Sequence, residues 1–125
     1  KVEPEYLKLS CDSEKLQRVF DNLLRNAVLY SYENSEISIK AEQMEHLVRI
    51  QVANRGATIP EEKLERIFEQ FYRLDDARQS QKGGAGLGLA IAREIVRLHG
   101  GSICAESHQE VTVFTIELPG GGQIL

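Results

Sequence analysis

The chain has no run approaching the ~18 apolar residues that a membrane span requires. No apolar segment follows a basic start, so no secretory leader is visible. Excess positive charge is also missing: 15 Lys and Arg against 19 Asp and Glu leave a net charge of −4. That balance argues against a broad electrostatic footprint for nucleic acid, while local basic clusters could still hold phosphate. Cysteine is scarce. Cys11 and Cys104 stand far apart and form no Cys-x-x-Cys pair, which argues against a disulfide framework or a zinc site. Both are expected as buried free thiols in a reducing compartment. There is no initiator methionine ahead of Lys1-Val2-Glu3-Pro4, as expected of a piece of something longer. Internal repeats and heptads are absent.

What remains is ordinary globular material: 125 residues, 42% apolar and 27% charged, enough for one domain around one core. Residues 6–10 alternate like a short strand. Asp12 or Ser13 can cap a helix in which Leu16, Val19, Phe20, Leu23, Leu24, Ala27 and Val28 recur at helical spacing to about Tyr30. Two strands follow, on Ile37, Ile39 and Ala41 and on Val48, Ile50 and Val52, joined near Met44-Glu45-His46. Pro60 opens a short helix with Leu64, Ile67, Phe68 and Phe71 on its apolar side. Residues 73–86 read as a mobile loop. A second long helix, 87–98, carries the stripe Leu87, Ile91, Ile95 and Leu98 and stops at Gly100-Gly101. Strands at 102–106 and 111–118 finish the fold, and 120–125 read as a loose tail. Strands in adjacent pairs imply antiparallel pairing, hence an α/β sandwich with one mixed sheet and helices on one face.

Four segments carry chemistry. In Gly83-Gly84-Ala85-Gly86-Leu87-Gly88-Leu89, glycines entering a helix leave backbone N–H groups free for an anion, and the helix dipole adds to them. No Gly-Lys-Ser/Thr follows, so this is not a Walker loop; Ile91 at the third glycine position and a preceding loop exclude a Rossmann turn. Asn22 and Asn26, four residues apart, share a helix face that is otherwise apolar. Their amides serve either an internal polar bond or a hard cation such as Mg²⁺. In Asn54-Arg55-Gly56-Ala57-Thr58-Ile59-Pro60, Gly56 lets the backbone approach a flat ligand, unless the segment is a plain turn. Ile67-Phe68-Glu69-Gln70-Phe71-Tyr72-Arg73 places core aromatics before an arginine suited to phosphate.

In this order the four segments resemble the N, G1, F and G2 boxes of the sensor histidine kinase catalytic domain, a member of the GHKL ATPase superfamily, over roughly residues 6–119. Phe71-Tyr72-Arg73-Leu74-Asp75 and Gly83-Gly84-Ala85-Gly86 look most like the VanS-type vancomycin-resistance sensors. The resemblance implies a Bergerat-type two-layer sandwich of about five strands and about three helices, forming one catalytic domain over residues 1–125. It implies ATP and Mg²⁺ as cofactors, bound between the two long helices under a lid at residues 73–85. Carried over by position, Asn26 holds Mg²⁺, Asn22 lines the phosphates, Tyr30 lies along the adenine and Asn54 faces its amino group. Gly56 and Ile59 belong to the base-binding segment, Arg73 reaches the terminal phosphates, and Gly84, Gly86, Leu87 and Gly88 contribute to the phosphate bed.

The implied reaction is phosphoryl transfer to a histidine nitrogen, governed by positioning and charge neutralisation. Hydrolytic relatives have a glutamate where Asn22 stands, and an amide cannot act as that base, so little ATP hydrolysis is expected. Three positions depart from the family pattern: Asn54 replaces an aspartate, Thr58 the second glycine of its box, and Leu29 a basic residue. They predict weak nucleotide binding, and they support the alternative of a degenerate, non-catalytic module acting through protein contacts. The family's acceptor, a helical His-Glu followed by Arg and Pro, is absent from this sequence. His99 suits the end of its helix, and His46 and His108 read as exposed turn residues. The acceptor and dimerisation are therefore expected in a helical domain N-terminal to Lys1, leaving this piece monomeric and unable to autophosphorylate. A response regulator is the expected downstream partner, and a cytoplasmic position on a membrane-anchored sensor the expected location.

Overall fold

The computed structural model describes residues 2–3, 13–69 and 88–119. The elements are β1 (Val2–Glu3), α1 (Ser13–Tyr30), β2 (Ser38–Gln43), β3 (Leu47–Arg55), α2 (Glu61–Leu64), a 3-10 turn (Arg66–Phe68), α3 (Gly88–Leu98), β4 (Ser102–His108) and β5 (Val111–Pro119). The sheet order is β1-β2-β3-β5-β4. β2, β3, β5 and β4 are antiparallel neighbours; β1 adds a two-residue parallel rung, Val2 opposite Ile39 and Glu3 opposite Lys40. The sheet is thus four antiparallel strands, and the expected count of about five is reached only with that rung. Three α-helices are present among the described residues. The strand expected at 6–10 lies outside them.

Period-two alternation decides which strand face is covered. Val48, Ile50 and Val52 of β3 are buried together with Phe114, Ile116 and Leu118 of β5, while the residues between them are half-buried on the opposite face. Val19, Leu23 and Ala27 of α1 and Leu89, Ala92, Ile95 and Val96 of α3 complete the same core. Phe68 closes its edge, its ring 6.0 Å from that of Phe114 at 81°. Arg93 caps the Phe68 ring from 5.6 Å.

Three expectations are corrected here. Cys104 is exposed, not buried, because Ile103 and Ala105 take the inward positions of β4; Cys11 lies outside the described residues. The stripe of α3 is rotated: Leu89, Ala92 and Val96 are buried with Ile95, while Leu98 is 68% exposed. Small Ala92 admits close packing, and Leu98 instead borders an open groove of about 500 Å³ with Lys15, Arg18, Ile91 and Arg93. Val28, placed in the α1 stripe by its spacing, is likewise exposed. Third, the helix after Pro60 is not continuous. It stops at Leu64, a 3-10 turn follows, and Glu69 is extended at φ −79° and ψ 148°. Adjacent Ile67 and Phe68 are both buried, which suits a tight turn against the core better than one stripe of a surface helix.

Helix α3 ends as its sequence dictates. Gly100 takes φ +79°, its N–H donates to Arg97 O at 2.9 Å, and Gly101 N–H reaches Val96 O at 3.0 Å. These are the two bonds of a Schellman closure. The imidazole Nδ1 of His99 sits 2.9 Å from Ile95 O in the same turn.

Candidate functional site

Asn22, Asn26 and Tyr30 recur every four residues along one ridge of α1, all half-buried. At 1.5 Å per residue that ridge is roughly 12 Å long. Its two ends meet different glycines. A Cβ added to Gly88, the first residue of α3, would stand 3.6 Å from Asn22 Cγ and Oδ1. A Cβ on Gly56, just beyond β3, would stand 2.1 Å from Tyr30 O and 3.4 Å from Asn54 Nδ2. No side chain fits at Gly56, so the strand end passes directly against the end of α1. The ridge therefore runs from the start of the glycine-led helix to the Asn54–Gly56 segment.

Asn54 ends the buried alternation of β3 and is 4% exposed. Its side-chain amide has no hydrogen-bond partner among the described residues, nor have those of Asn22 and Asn26. A buried amide without a partner costs about 1–3 kcal/mol. Asn54 is such a group, and the half-buried amides of Asn22 and Asn26 lie on the adjoining α1 ridge, so the three make a candidate place for a ligand to complete. Amide oxygens are hard donors suited to Mg²⁺, so the residues fit that ion. Among the described residues no three His, Cys, Asp or Glu converge as a metal centre.

The segment after Asn54 is fixed from behind by the β4–β5 hairpin. Gly56 N–H donates to Glu110 O at 3.0 Å, and Glu110 N–H donates to Thr58 Oγ1 at 2.8 Å. Ile59 N–H donates to Ser107 Oγ at 2.8 Å, and that hydroxyl pairs with Thr112 Oγ1 at 2.8 Å. Tyr32 N–H donates to Arg55 O at 2.8 Å, and Tyr32 OH meets Glu110 Oε2 at 3.1 Å. Desolvation, then that hydrogen bond, then the Glu110 charge hold the Tyr32 phenol above its ordinary pKa. The hairpin tip is itself strained: Gln109 and Glu110 take φ +50° and +67° without glycine.

Of the residues expected at the site, Asn22, Asn26 and Tyr30 lie along one ridge of α1, with Gly88 beside Asn22 and Gly56 beside Tyr30 and Asn54. Ile59 sits on the hairpin through Ser107. Thr58, which stands in place of the second glycine of its box, has its hydroxyl engaged by the hairpin. Arg73, Gly84, Gly86 and Leu87 lie outside the described residues, as does the lid at 73–85. The supporting residues Ser107, Thr112 and Glu110 were missed. The signal for the first two was a polar residue at an inward strand position, after Ile103 and Ala105 in β4 and before Phe114 in β5.

Among the described residues, the α/β sandwich sets Asn22 of α1 beside Gly88 at the start of α3, and the end of α1 against the Asn54–Gly56 segment. The sequence matches the family described as histidine kinase-, DNA gyrase B- and HSP90-like ATPase over residues 11–121. The chain belongs to this family, as the ATPase catalytic domain of a sensor histidine kinase. It is 55% identical to the sensor protein VanS of Enterococcus faecium, over 93% of this chain and 30% of that protein. It is 42% identical to the sensor histidine kinase WalK of Bacillus subtilis, over 90% of this chain and 19% of that protein. The chain thus spans less than a third of these relatives. The catalytic domain of the histidine kinase ThkA superposes with a TM-score of 0.81 at 37% identity, covering 95% of this chain and 75% of that one. Full-length ShkA in complex with AMPPNP gives 0.80 at 27% identity, covering 96% and 24%.

Proposed function

We propose that this domain binds Mg-ATP along the α1 ridge and presents it to a histidine on a separate dimerisation domain. The observation that carries the reading is the set of amides of Asn22, Asn26 and Asn54, unpartnered among the described residues and lying between the Gly88 and Gly56 ends of one ridge. Bound Mg-ATP supplies the γ-phosphoryl group; the chain's own task is to hold and orient. In this reading Asn26 supplies an amide oxygen to Mg²⁺ and Asn22 lines the phosphates. Tyr30 and Ile59 flank the base, which Asn54 faces across the side-chain-free Gly56. Arg73 serves the terminal phosphates, and Gly84, Gly86, Leu87 and Gly88 form the bed beneath them. Asn22 has no basic atom to activate water, so hydrolysis stays slow.

The chain is read as one such domain, monomeric on its own, carried on the cytoplasmic side of a membrane-anchored sensor. No helix among the described residues is long and apolar enough to cross a membrane. A response regulator is the proposed recipient of the phosphoryl group. Supporting that partner, the related kinase ThkA has been solved in complex with the response regulator TrrA, at a TM-score of 0.77 and 33% identity over all of this chain and 34% of that one. Nucleotide binding is weak, because the neutral Asn54 amide gives up the charge-assisted part of a bond to the base.

The test is thermal denaturation with and without Mg-ATP. A ligand of the native state raises the melting temperature with concentration. A rise at millimolar Mg-ATP, lost in Asn26→Ala, is expected. No rise at any concentration replaces this reading with the non-catalytic module. Radiolabel from ATP should not appear on this chain alone.

A further inference from the structure

We infer that Asn54 makes the base pocket tolerant of both purines, so that the site takes guanine as well as adenine nucleotides; this rests on the nucleotide reading above. The reason lies in what surrounds the amide. Asn54 is buried, and among the described residues nothing pins which end of its amide points which way. Thr112, opposite Asn54 in the β3–β5 register, pairs its hydroxyl with Ser107. Ser107 also accepts from Ile59 N–H, so this buried pair satisfies itself and does not dictate the Asn54 orientation. On the Gly56 side the absent Cβ leaves only backbone beside the amide: a Cβ there would lie 3.4 Å from Asn54 Nδ2 and 2.1 Å from Tyr30 O.

An amide carries an acceptor oxygen at one end and a donor NH₂ at the other, and rotation by half a turn exchanges them. One orientation accepts from the 6-amino group of adenine. The other donates to the 6-oxo group of guanine. An ionised carboxylate at this position could only accept and would repel the guanine oxygen. Sites that must leave a buried polar group unpaired reject a ligand strongly. Asn54 can turn a matching end of its amide to either base, so neither purine meets a group that must repel it.

Calorimetric titration of the 125-residue chain with Mg-ATP and Mg-GTP tests this, in the wild type and in Asn54→Asp. The two wild-type dissociation constants are expected within about tenfold of each other, the scale of one neutral hydrogen bond. Asn54→Asp should widen the ratio by at least about tenfold in favour of ATP. Should the buried charge unfold that variant, the wild-type side-chain NH₂ resonances decide: a low-field shift of one Asn54 amide proton with GTP but not with ATP is expected. Binding of ATP with more than hundredfold rejection of GTP overturns the inference and spares the nucleotide site. An unchanged ratio in a folded Asn54→Asp does the same. Failure of both nucleotides to bind overturns the nucleotide reading itself, and this inference with it.

Discussion

The two faces of strand β3 treat polar side chains in opposite ways. On the outer face Arg49 meets Glu117 at 2.8–2.9 Å, and Gln51 Nε2 reaches Thr115 Oγ1 at 3.3 Å, each across the β3–β5 register. On the inner face Val48, Ile50 and Val52 are buried with no polar atom to satisfy, and then Asn54 is buried with its amide unpartnered among the described residues. The half-exposed polar groups are paired, where pairing contributes least. The buried one is not, where pairing matters most. A fold selected for stability alone would reverse that arrangement, so the inner end of β3 is shaped for something that binds there.

This contrast can be broken by substitution, beginning with the largest effect. Asn26→Ala should lower phosphoryl transfer to an added histidine-bearing dimerisation domain about 100-fold or more, as expected for one lost group at a developing charge. Its unfolding curve should stay close to wild type. Gly56→Ala should destabilise by about 1–3 kcal/mol in urea denaturation, because its Cβ would overlap Tyr30 O at 2.1 Å. Asn54→Leu separates the two roles: stability should hold or rise by about 1 kcal/mol as a buried unpaired amide leaves the core, while affinity for Mg-ATP falls. Arg49→Met on the other face should change stability by less than about 1 kcal/mol and leave nucleotide affinity untouched.

The smallest effect is a pH dependence. The raised Tyr32 pKa means that the folded chain holds the phenolic proton more tightly than the unfolded chain. This contribution is present below the ordinary tyrosine value near 10 and is lost as pH climbs through the folded-state value. Tyr32→Phe should flatten the alkaline limb of a melting-temperature profile and leave its neutral region unchanged.

Most of the architecture was legible because strong periodicity and glycine punctuation coincide. The α1 stripe apart from Val28, the β2–β3 alternation and the Gly100-Gly101 stop stand where they were placed. Cys104 and Leu98 were misplaced for the same reason. Residue type suggests burial, but the registry of a strand or the rotation of a helix decides it, and both are set by tertiary neighbours. In the candidate site, Asn22 and Asn26 could be found because they interrupt an apolar helix face, and Asn54 because it ends a strand just before Gly56. The hairpin that braces Gly56, Thr58 and Ile59 could not, since its bonds run through backbone groups and span 48 to 54 positions of sequence.

The central claim is that the amides of Asn22, Asn26 and Asn54, unpartnered among the described residues, form one ligand surface. Recording the side-chain NH₂ resonances of the ¹⁵N-labelled chain while titrating Mg-AMPPNP examines it directly. Resonances of Asn22, Asn26 and Asn54 should move together along one saturable curve, while that of Gln51 on the outer face stays still. Shifts that saturate at different concentrations, or an Asn54 signal indifferent to the nucleotide, would contradict it.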